Sequence, residues 1–162
     1  MEQLVLHAGR VGIRAAAASD EALVGGWLSD PEIYAYWGGA PVPPDEIRAH
    51  CAVRIEPGET VWPYIILEGD APAGYLQAWR KFGGDAGFDL FLVPEARGRG
   101  IGSTALRLMA EYVTDVLRWP TVTIDPDRAN ARAIRAFTKA GFVALGSPRD
   151  DETHIVLTFV PI

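Results

Sequence analysis

Seven consecutive residues, Arg97, Gly98, Arg99, Gly100, Ile101, Gly102 and Ser103, put two guanidiniums and three glycines between a strand-like run at 87–93 and an amphipathic helical pattern. A strand, a basic glycine-rich turn and a helix start together make a site for an anion. The first N–H groups of a helix lack intrahelical acceptors, and the helix dipole is positive there. Glycines allow positive φ and a close backbone approach. No lysine precedes Ser103, so the loop is not of the Walker type. The spacing Gly98-x-Gly100-x-Gly102 departs from the dinucleotide fingerprint G-x-G-x-x-G. Two carboxylates frame this stretch. Asp89 interrupts an apolar strand between Phe88 and Leu90, and a carboxylate buried there needs partners. Asp125 ends a β-branched run at 121–125, just ahead of a helical pattern. It reads equally as a helix cap and as a functional acid.

The elements that position these residues follow from periodicity and punctuation. Residues 4–7 and 11–15 read as strands. Ser19 reads as an N-cap for a helix that runs to about Leu28 and stops at Pro31. The segment 32–44 holds Tyr34, Tyr36, Trp37, Gly38, Gly39, Pro41, Pro43 and Pro44, an ordered loop whose Trp37 suits a core edge or a cleft wall. A second helix is expected over 45–55, burying Ile47, Cys51 and Ile55. Strands follow at 61–67, with Pro63 suggesting an edge or early position, at 73–80, and at 87–93. The central helix spans 100–117 with a stripe of Ile101, Ala105, Leu108, Tyr112 and Val116. A strand at 121–125, a helix at 129–139 closed by Gly141, and strands at 142–145 and 153–159 complete a mixed sheet with helices packed on it.

The whole chain sets bounds. Its 162 residues suit one domain, 1–162, and 49% apolar content is ordinary for a globular protein. A net charge of −6 argues against a nucleic-acid partner and for cationic small molecules. No run reaches the ~18 apolar residues of a membrane span. The start shows no basic-then-apolar signal, and Cys51, the single cysteine, has no internal disulfide partner, so cytoplasm is the default compartment. His7, His50 and His154 lack ligand spacing, so no metal is expected.

The loop resembles the R/Q-x-x-G-x-G/A motif of the GCN5-related N-acetyltransferases (GNAT), and Val93-Pro94 stands where the family has similar residues. The segment 130–142 is similar to their N-x-x-A-x-x-x-Y-x-K-x-G-F, with Phe137 in place of the tyrosine. Within that family the aminoglycoside 6′-N-acetyltransferases are the best match. Tyr36-Trp37-Gly38-Gly39 resembles their W-W-G-G, Trp62-Pro63-Tyr64-Ile65 their T-P-Y-I, and Gly74-Tyr75-Leu76-Gln77 their G-Y-x-Q. Gly87-Phe88-Asp89 resembles G-I-D, and Asp125-Pro126 matches D-P.

The resemblance implies an α/β (α+β) GNAT fold: a mixed, mostly antiparallel sheet with a splayed, bulged strand and about four flanking helices. It implies acetyl-CoA as co-substrate, held by Phe91, Val93, Arg97, Gly98, Arg99, Gly100, Ile101, Gly102, Ser103 and Asn130. It implies an aminoglycoside or other cationic amine as acceptor, met by Trp37, Tyr64, Gln77, Trp79, Asp85, Asp89 and Asp125, with Asp125 and Asp89 catalytic in a direct transfer. Another small amine, a protein N-terminus, or acyl-CoA binding without catalysis are the alternatives. With Phe137 unable to give a proton, water or another tyrosine, Tyr112 or Tyr75, is expected to serve the departing thiolate, unless it leaves unassisted. A monomer or a homodimer is expected.

Overall fold

The computed structural model describes residues 4–161. The first hairpin, β1 (Val5–Ala8) and β2 (Val11–Ala15), leads through a 3-10 turn to α1 (Glu21–Trp27). The turn is organised by Asp20, whose carboxylate takes both Arg14 guanidinium nitrogens at 2.9 Å and the Ala17 N–H at 2.8 Å. Asp20 thus does the local work expected of Ser19, because a carboxylate accepts from a neighbouring cation as well as from the backbone. Two one-turn helices, α2 (Pro31–Tyr34) and α3 (Pro44–Ile47), bracket the aromatic loop. Each has a proline in its first turn, where the missing N–H costs nothing.

The second expected helix is shorter than its periodicity suggests. After α3 and a 3-10 turn through Cys51, the chain extends into β3 (Arg54–Glu56), which turns at Gly58 into β4 (Glu59–Glu68). Ile47 and Cys51 are buried as the spacing predicts, whereas Ile55 is 81% exposed on β3. Gly58, at φ +80°, marks a hairpin turn instead of a helix end. Pro63 lies inside the sheet. On one side β4 pairs with β3 up to Val61 and with β2 from Tyr64, so Pro63 sits at the handover. Its carbonyl accepts from the Ala16 N–H across that seam, where its own missing N–H also points.

Next come β5 (Ala71–Lys81), β6 (Ala86–Leu92), α4 (Ile101–Glu111), β7 (Thr123–Ile124), α5 (Ala131–Lys139), β8 (Phe142–Ala144) and β9 (Leu157–Phe159). The sheet order is β1-β2-β4-β5-β6-β7-β9-β8, with β3 beside β4. Every strand pair is antiparallel except β6 with β7. The expected mixed sheet and its splay are present. The register shift, however, falls between Ile66 and Leu67 opposite β5, while β6 runs in unbroken register from Ala86 to Leu92.

Helix α4 gives way at Glu111 to a π-helical turn, Tyr112–Val116. The wider turn rotates the end of the expected stripe outward. Val116 is 64% exposed, and the seam closes through Ala105, Leu106, Met109, Ala110 and Val113. The closing strands are also shorter than their sequence signal, with β7 two residues long.

Candidate active site

The site begins where two strands part. β6 and β7 touch through one parallel pair, Gly87 with Thr123, and then diverge. Gly87 makes that contact possible: a Cβ there would lie 2.5 Å from the Thr123 carbonyl and 2.6 Å from the Trp79 ring. Beyond it a cleft of about 490 Å3 opens between Asp89–Leu92 on one side and Ile124–Asp127 on the other. Its floor is the start of α4, and α5 and the 32–37 segment complete its walls.

The floor has the features that suit an anion. Gly98 and Gly100 stand at φ +82° and +79°, which turns successive backbone N–H groups toward one concavity. The first hydrogen bond of α4 runs from the Thr104 N–H to the Gly100 carbonyl, so the amides of Ile101, Gly102 and Ser103 precede the helical ladder. All three residues line the cleft. Gly102 also packs within reach of Leu92, where a Cβ would sit 3.3 Å from its Cδ1, so bulk there would push α4 off β6. Arg97 lines the floor and donates to the Glu32 carbonyl at 3.0 Å. Burial and the neighbouring Arg132 hold its pKa below the ordinary arginine value. Two guanidiniums brought together invite an anion between them. Arg99 turns away instead, pairing with Glu68 at 2.7 Å and the Glu95 carbonyl at 2.8 Å.

Strand parity decides which backbone groups face the cleft. The Val93 N–H donates to the Ala73 carbonyl at 3.0 Å, toward β5. The Phe91 carbonyl also points to β5, where a Cβ on Gly74 would meet it at 2.3 Å. N–H and C=O alternate sides along a strand. The groups of Phe91 and Val93 are therefore spent on β5, and those of Leu90 and Leu92 face the open side. The expected free groups shift by one residue: Leu90 and Leu92, both lining the cleft, present an unpaired sheet edge for an extended ligand. The Phe91 side chain still reaches the cleft, stacked on Tyr75 at 5.6 Å and edge-on to Trp37 at 5.2 Å. Asn130 lines the cleft as the cap of α5. Its Oδ1 accepts from the Ala133 N–H at 3.2 Å, which leaves its amide nitrogen for a ligand.

The two acids meet across the splay. Both Asp89 and Asp125 line the cleft. Asn130 and Asp127 perform the capping ahead of α5, Asp127 accepting from the Ala129 N–H at 2.8 Å, so Asp125 is not the cap. Asp89 accepts a hydrogen bond from Gln77 Nε2 at 2.9 Å. Burial pushes its pKa up to about 6, the Gln77 bond opposes this, and the Asp125 charge adds to the rise. A carboxylate tuned toward neutrality beside a second one is a candidate proton acceptor.

Several predicted substrate residues lie elsewhere. Tyr64 pairs with Leu76, which pairs with Leu90, whereas Gln77 pairs with Asp89. Directly opposed residues share a face, so Tyr64 lies on the other side of the sheet from Asp89 and is 1% exposed in the core. Gln77 serves Asp89 instead of lining the cleft. Trp79 packs over Gly87, with Lys81 5.6 Å and Arg149 5.9 Å from its ring, at the closed end of the splay. Asp85 belongs to the β5–β6 turn, where its carbonyl accepts from Lys81. Tyr112 and Tyr75 do not line the cleft either. The Tyr75 hydroxyl is committed to the His50 carbonyl at 2.9 Å and to Gln77.

The structure adds residues that sequence reasoning missed. Arg132, Arg135 and Lys139 line the cleft from α5. Their i, i+3, i+7 spacing was a readable basic stripe. Glu32, Tyr36 and Asp127 also join the wall, and Phe137 faces the cleft at 7% exposure. The cleft thus carries cations along α5 and the α4 start, with Glu32 beside Arg97, and groups its other carboxylates at Asp89, Asp125 and Asp127.

Comparison with known proteins agrees with this geometry. The sequence model of the Acetyltransferase (GNAT) domain matches residues 10–143. The aminoglycoside N(6′)-acetyltransferases type 1 of Klebsiella pneumoniae and of Serratia marcescens are each 28% identical over 152 residues, covering 85% of this chain and 76% of theirs. Among solved structures, AAC(6′)-Ib in complex with paromomycin and acetyl-CoA superposes with a TM-score of 0.80 at 26% identity, covering 92% of each chain. The complex of AAC(6′)-Ib with ribostamycin and coenzyme A gives the same TM-score at 25% identity and the same coverage. A splayed sheet over an amide-lined helix start, and a family match across most of its length, place this chain in the GNAT family of acetyltransferases, with aminoglycoside 6′-N-acetyltransferases among its relatives.

Proposed function

We propose that the protein transfers an acetyl group from acetyl-CoA to the 6′-amine of an aminoglycoside, a drug-inactivating reaction. One observation carries the reading: Asp89 and Asp125 converge on the cleft that also holds the α4 amides. The family match and the aminoglycoside acetyltransferase relatives support it. Acetyl-CoA supplies the activated acetyl group and a pyrophosphate. The residues present suit it: the Ile101, Gly102 and Ser103 amides with Arg97 for the pyrophosphate, and Leu90, Leu92 and the Asn130 amide for the extended arm. The basic stripe of Arg132, Arg135 and Lys139 adds positive potential on the same side.

The acceptor lies at the acidic end. Aminoglycosides carry several ammonium groups, which carboxylates and the face of Trp37 attract. A protonated amine cannot attack, so Asp89, supported by Asp125, takes its proton. The open N–H groups of Leu90 and Leu92 supply donors for the developing oxyanion. The thiolate leaves without a side-chain acid, since a free thiol has a pKa of about 8.5 and Phe137 has no proton to give.

Purified protein, acetyl-CoA and an amine panel, read by free-thiol release, test the proposal. Turnover is expected with kanamycin or tobramycin, with the product acetylated at the 6′-amine. Turnover with peptides alone overturns the acceptor, and none with any amine overturns catalysis. Asp125→Asn is expected to slow transfer by about 10²-fold or more while CoA affinity, measured by calorimetry, stays within threefold. A near-normal rate removes Asp125 from the mechanism.

A further inference from the structure

We propose that Gln77 and Tyr75 form a hydrogen-bond relay that positions Asp89 and reverses direction when Asp89 takes up a proton. They are positioning residues, and the inference rests on the reading of Asp89 as proton acceptor. The register places Gln77 opposite Asp89, with Tyr75 two positions along on the same face of β5. Gln77 Nε2 lies 2.9 Å from Asp89 Oδ2, and the Tyr75 hydroxyl lies 3.2 Å from Gln77 Oε1 and 2.9 Å from the His50 carbonyl. Tyr75 is fully buried beneath Trp37 and Phe91, so no solvent repairs an unmet group there.

The hydroxyl has one proton and faces two oxygens, and the amide has one oxygen and a pair of N–H donors. With Asp89 ionised, Gln77 donates to Asp89 and Tyr75 donates to Gln77 Oε1. The His50 carbonyl then receives nothing from Tyr75. With Asp89 protonated, the new O–H requires an acceptor. A half-turn of the Gln77 amide presents Oε1 to Asp89 and Nε2 to the Tyr75 oxygen, and the Tyr75 proton swings to the His50 carbonyl. Every member of the chain is then paired. No covalent bond changes in Gln77 or Tyr75, and the only proton transferred is the one that passes from the acceptor amine to Asp89.

The surroundings agree with an acid held near this balance. Burial, Asp125 beyond β7 and Glu59 on β4 favour protonated Asp89, while the Gln77 bond and Arg54 on β3 favour the ionised form. Around Tyr75 stand Cys51, Asp89 and Arg54, with the His50 ring 6.1 Å away. Arg54 also donates to the hydroxyl oxygen and leaves its second lone pair for Gln77. A relay that keeps Asp89, Gln77 and the Tyr75 hydroxyl paired in both forms lets the acid change state at the expense of only the His50 carbonyl contact in the ionised form.

Side-chain NMR on the ligand-free protein tests the relay apart from turnover. Between pH 4 and 8 the Gln77 Nε2 protons should shift with the same midpoint as the Asp89 carboxyl carbon, and Asp89→Asn should abolish that shift. Tyr75→Phe should shrink the amide response, because the acceptor for Nε2 in the acid form is gone. An unchanged response removes Tyr75 from the relay. Gln77→Leu, and the unbranched Gln77→Met of similar size, cannot donate to ionised Asp89. In both, the carboxyl midpoint and the acidic limb of kcat/KM should move up together by a pH unit or more, tenfold in proton affinity. An untitrating Gln77 amide, or variants that lower kcat at every pH with the limb unmoved, overturns the proposal. A relay that titrates in a protein that acetylates no amine leaves the relay standing and refutes the acetyltransferase reading.

Discussion

Replacing Asp89 by asparagine should make the fold more stable at neutral pH while disabling transfer. In the folded protein, burial and the charges of Asp125 and Glu59 raise the Asp89 pKa from 3.8 to about 6. The native state therefore binds this proton more tightly than the unfolded chain does. Below about pH 4 both states are protonated and the site costs nothing. As pH rises toward 6 the unfolded chain has released its proton and the native state resists, so native stability falls. Above about 6 both states are ionised and the whole penalty is present. At 1.36 kcal/mol per pH unit the penalty is about 3 kcal/mol, a ceiling because the carboxylate faces an open cleft. Asparagine keeps a hydrogen-bond partner for Gln77 and carries no charge. Urea denaturation of both proteins from pH 4 to 8 should give nearly equal stabilities at the acid end, with Asp89→Asn gaining by up to about 3 kcal/mol by pH 7.5. Titrations common to both proteins, such as that of the Arg14-paired Asp20, cancel in the difference. A difference that does not change with pH, or a variant less stable than the parent at pH 7.5, would refute the claim that burial of Asp89 is costly.

Three other perturbations probe the cleft. Gly87→Ala forces a methyl against the Thr123 carbonyl and the Trp79 ring. It should lower stability by about 1–3 kcal/mol in the same assay, and an unchanged midpoint would mean that the β6–β7 junction yields freely. Arg97→Ala should raise the KM for acetyl-CoA by about tenfold and weaken its salt dependence, with kcat within a few-fold, as expected for one charge-assisted contact. Phe137→Tyr restores a phenol at the cleft wall; steady-state kcat should change by less than threefold, and a tenfold rise would show that thiolate protonation limits the parent enzyme.

The fold was legible where side-chain period and backbone punctuation agreed. Strands β4, β5 and β6 are long, apolar and bounded by turns, and each was found to within about two residues. The helix expected at 45–55 failed because Ile47, Cys51 and Ile55 keep a helical interval that a short helix, a 3-10 turn and a strand share by accident. Pairing with Val61 holds Arg54 extended, and that contact is invisible to local spacing. The π-helical turn after α4 was hidden for the same reason, since its effect is to rotate Val116 away from a stripe that continues unbroken in the sequence.

The candidate site was legible as a set of residue types and less so as a geometry. Glycines and arginines announced an anion site, and an aspartate inside an apolar strand announced a tuned acid. Which amides face the cleft depends on the parity of β6, and parity is fixed by one bond, from the Val93 N–H to Ala73. The same parity assigns the side chains. It puts Asp89, Phe91, Gln77 and Tyr75 on one face with Trp37, and sends Leu90, Leu76 and Tyr64 to the other. A single register therefore sets three things at once: the open backbone edge of Leu90 and Leu92, the acid beside it, and the buried amide and phenol behind that acid. A one-residue slip of β6 against β5 would turn Asp89 into the opposite face and hand the open edge to the backbone groups of Asp89 and Phe91, so this pairing, more than any single side chain, sets the geometry of the cleft.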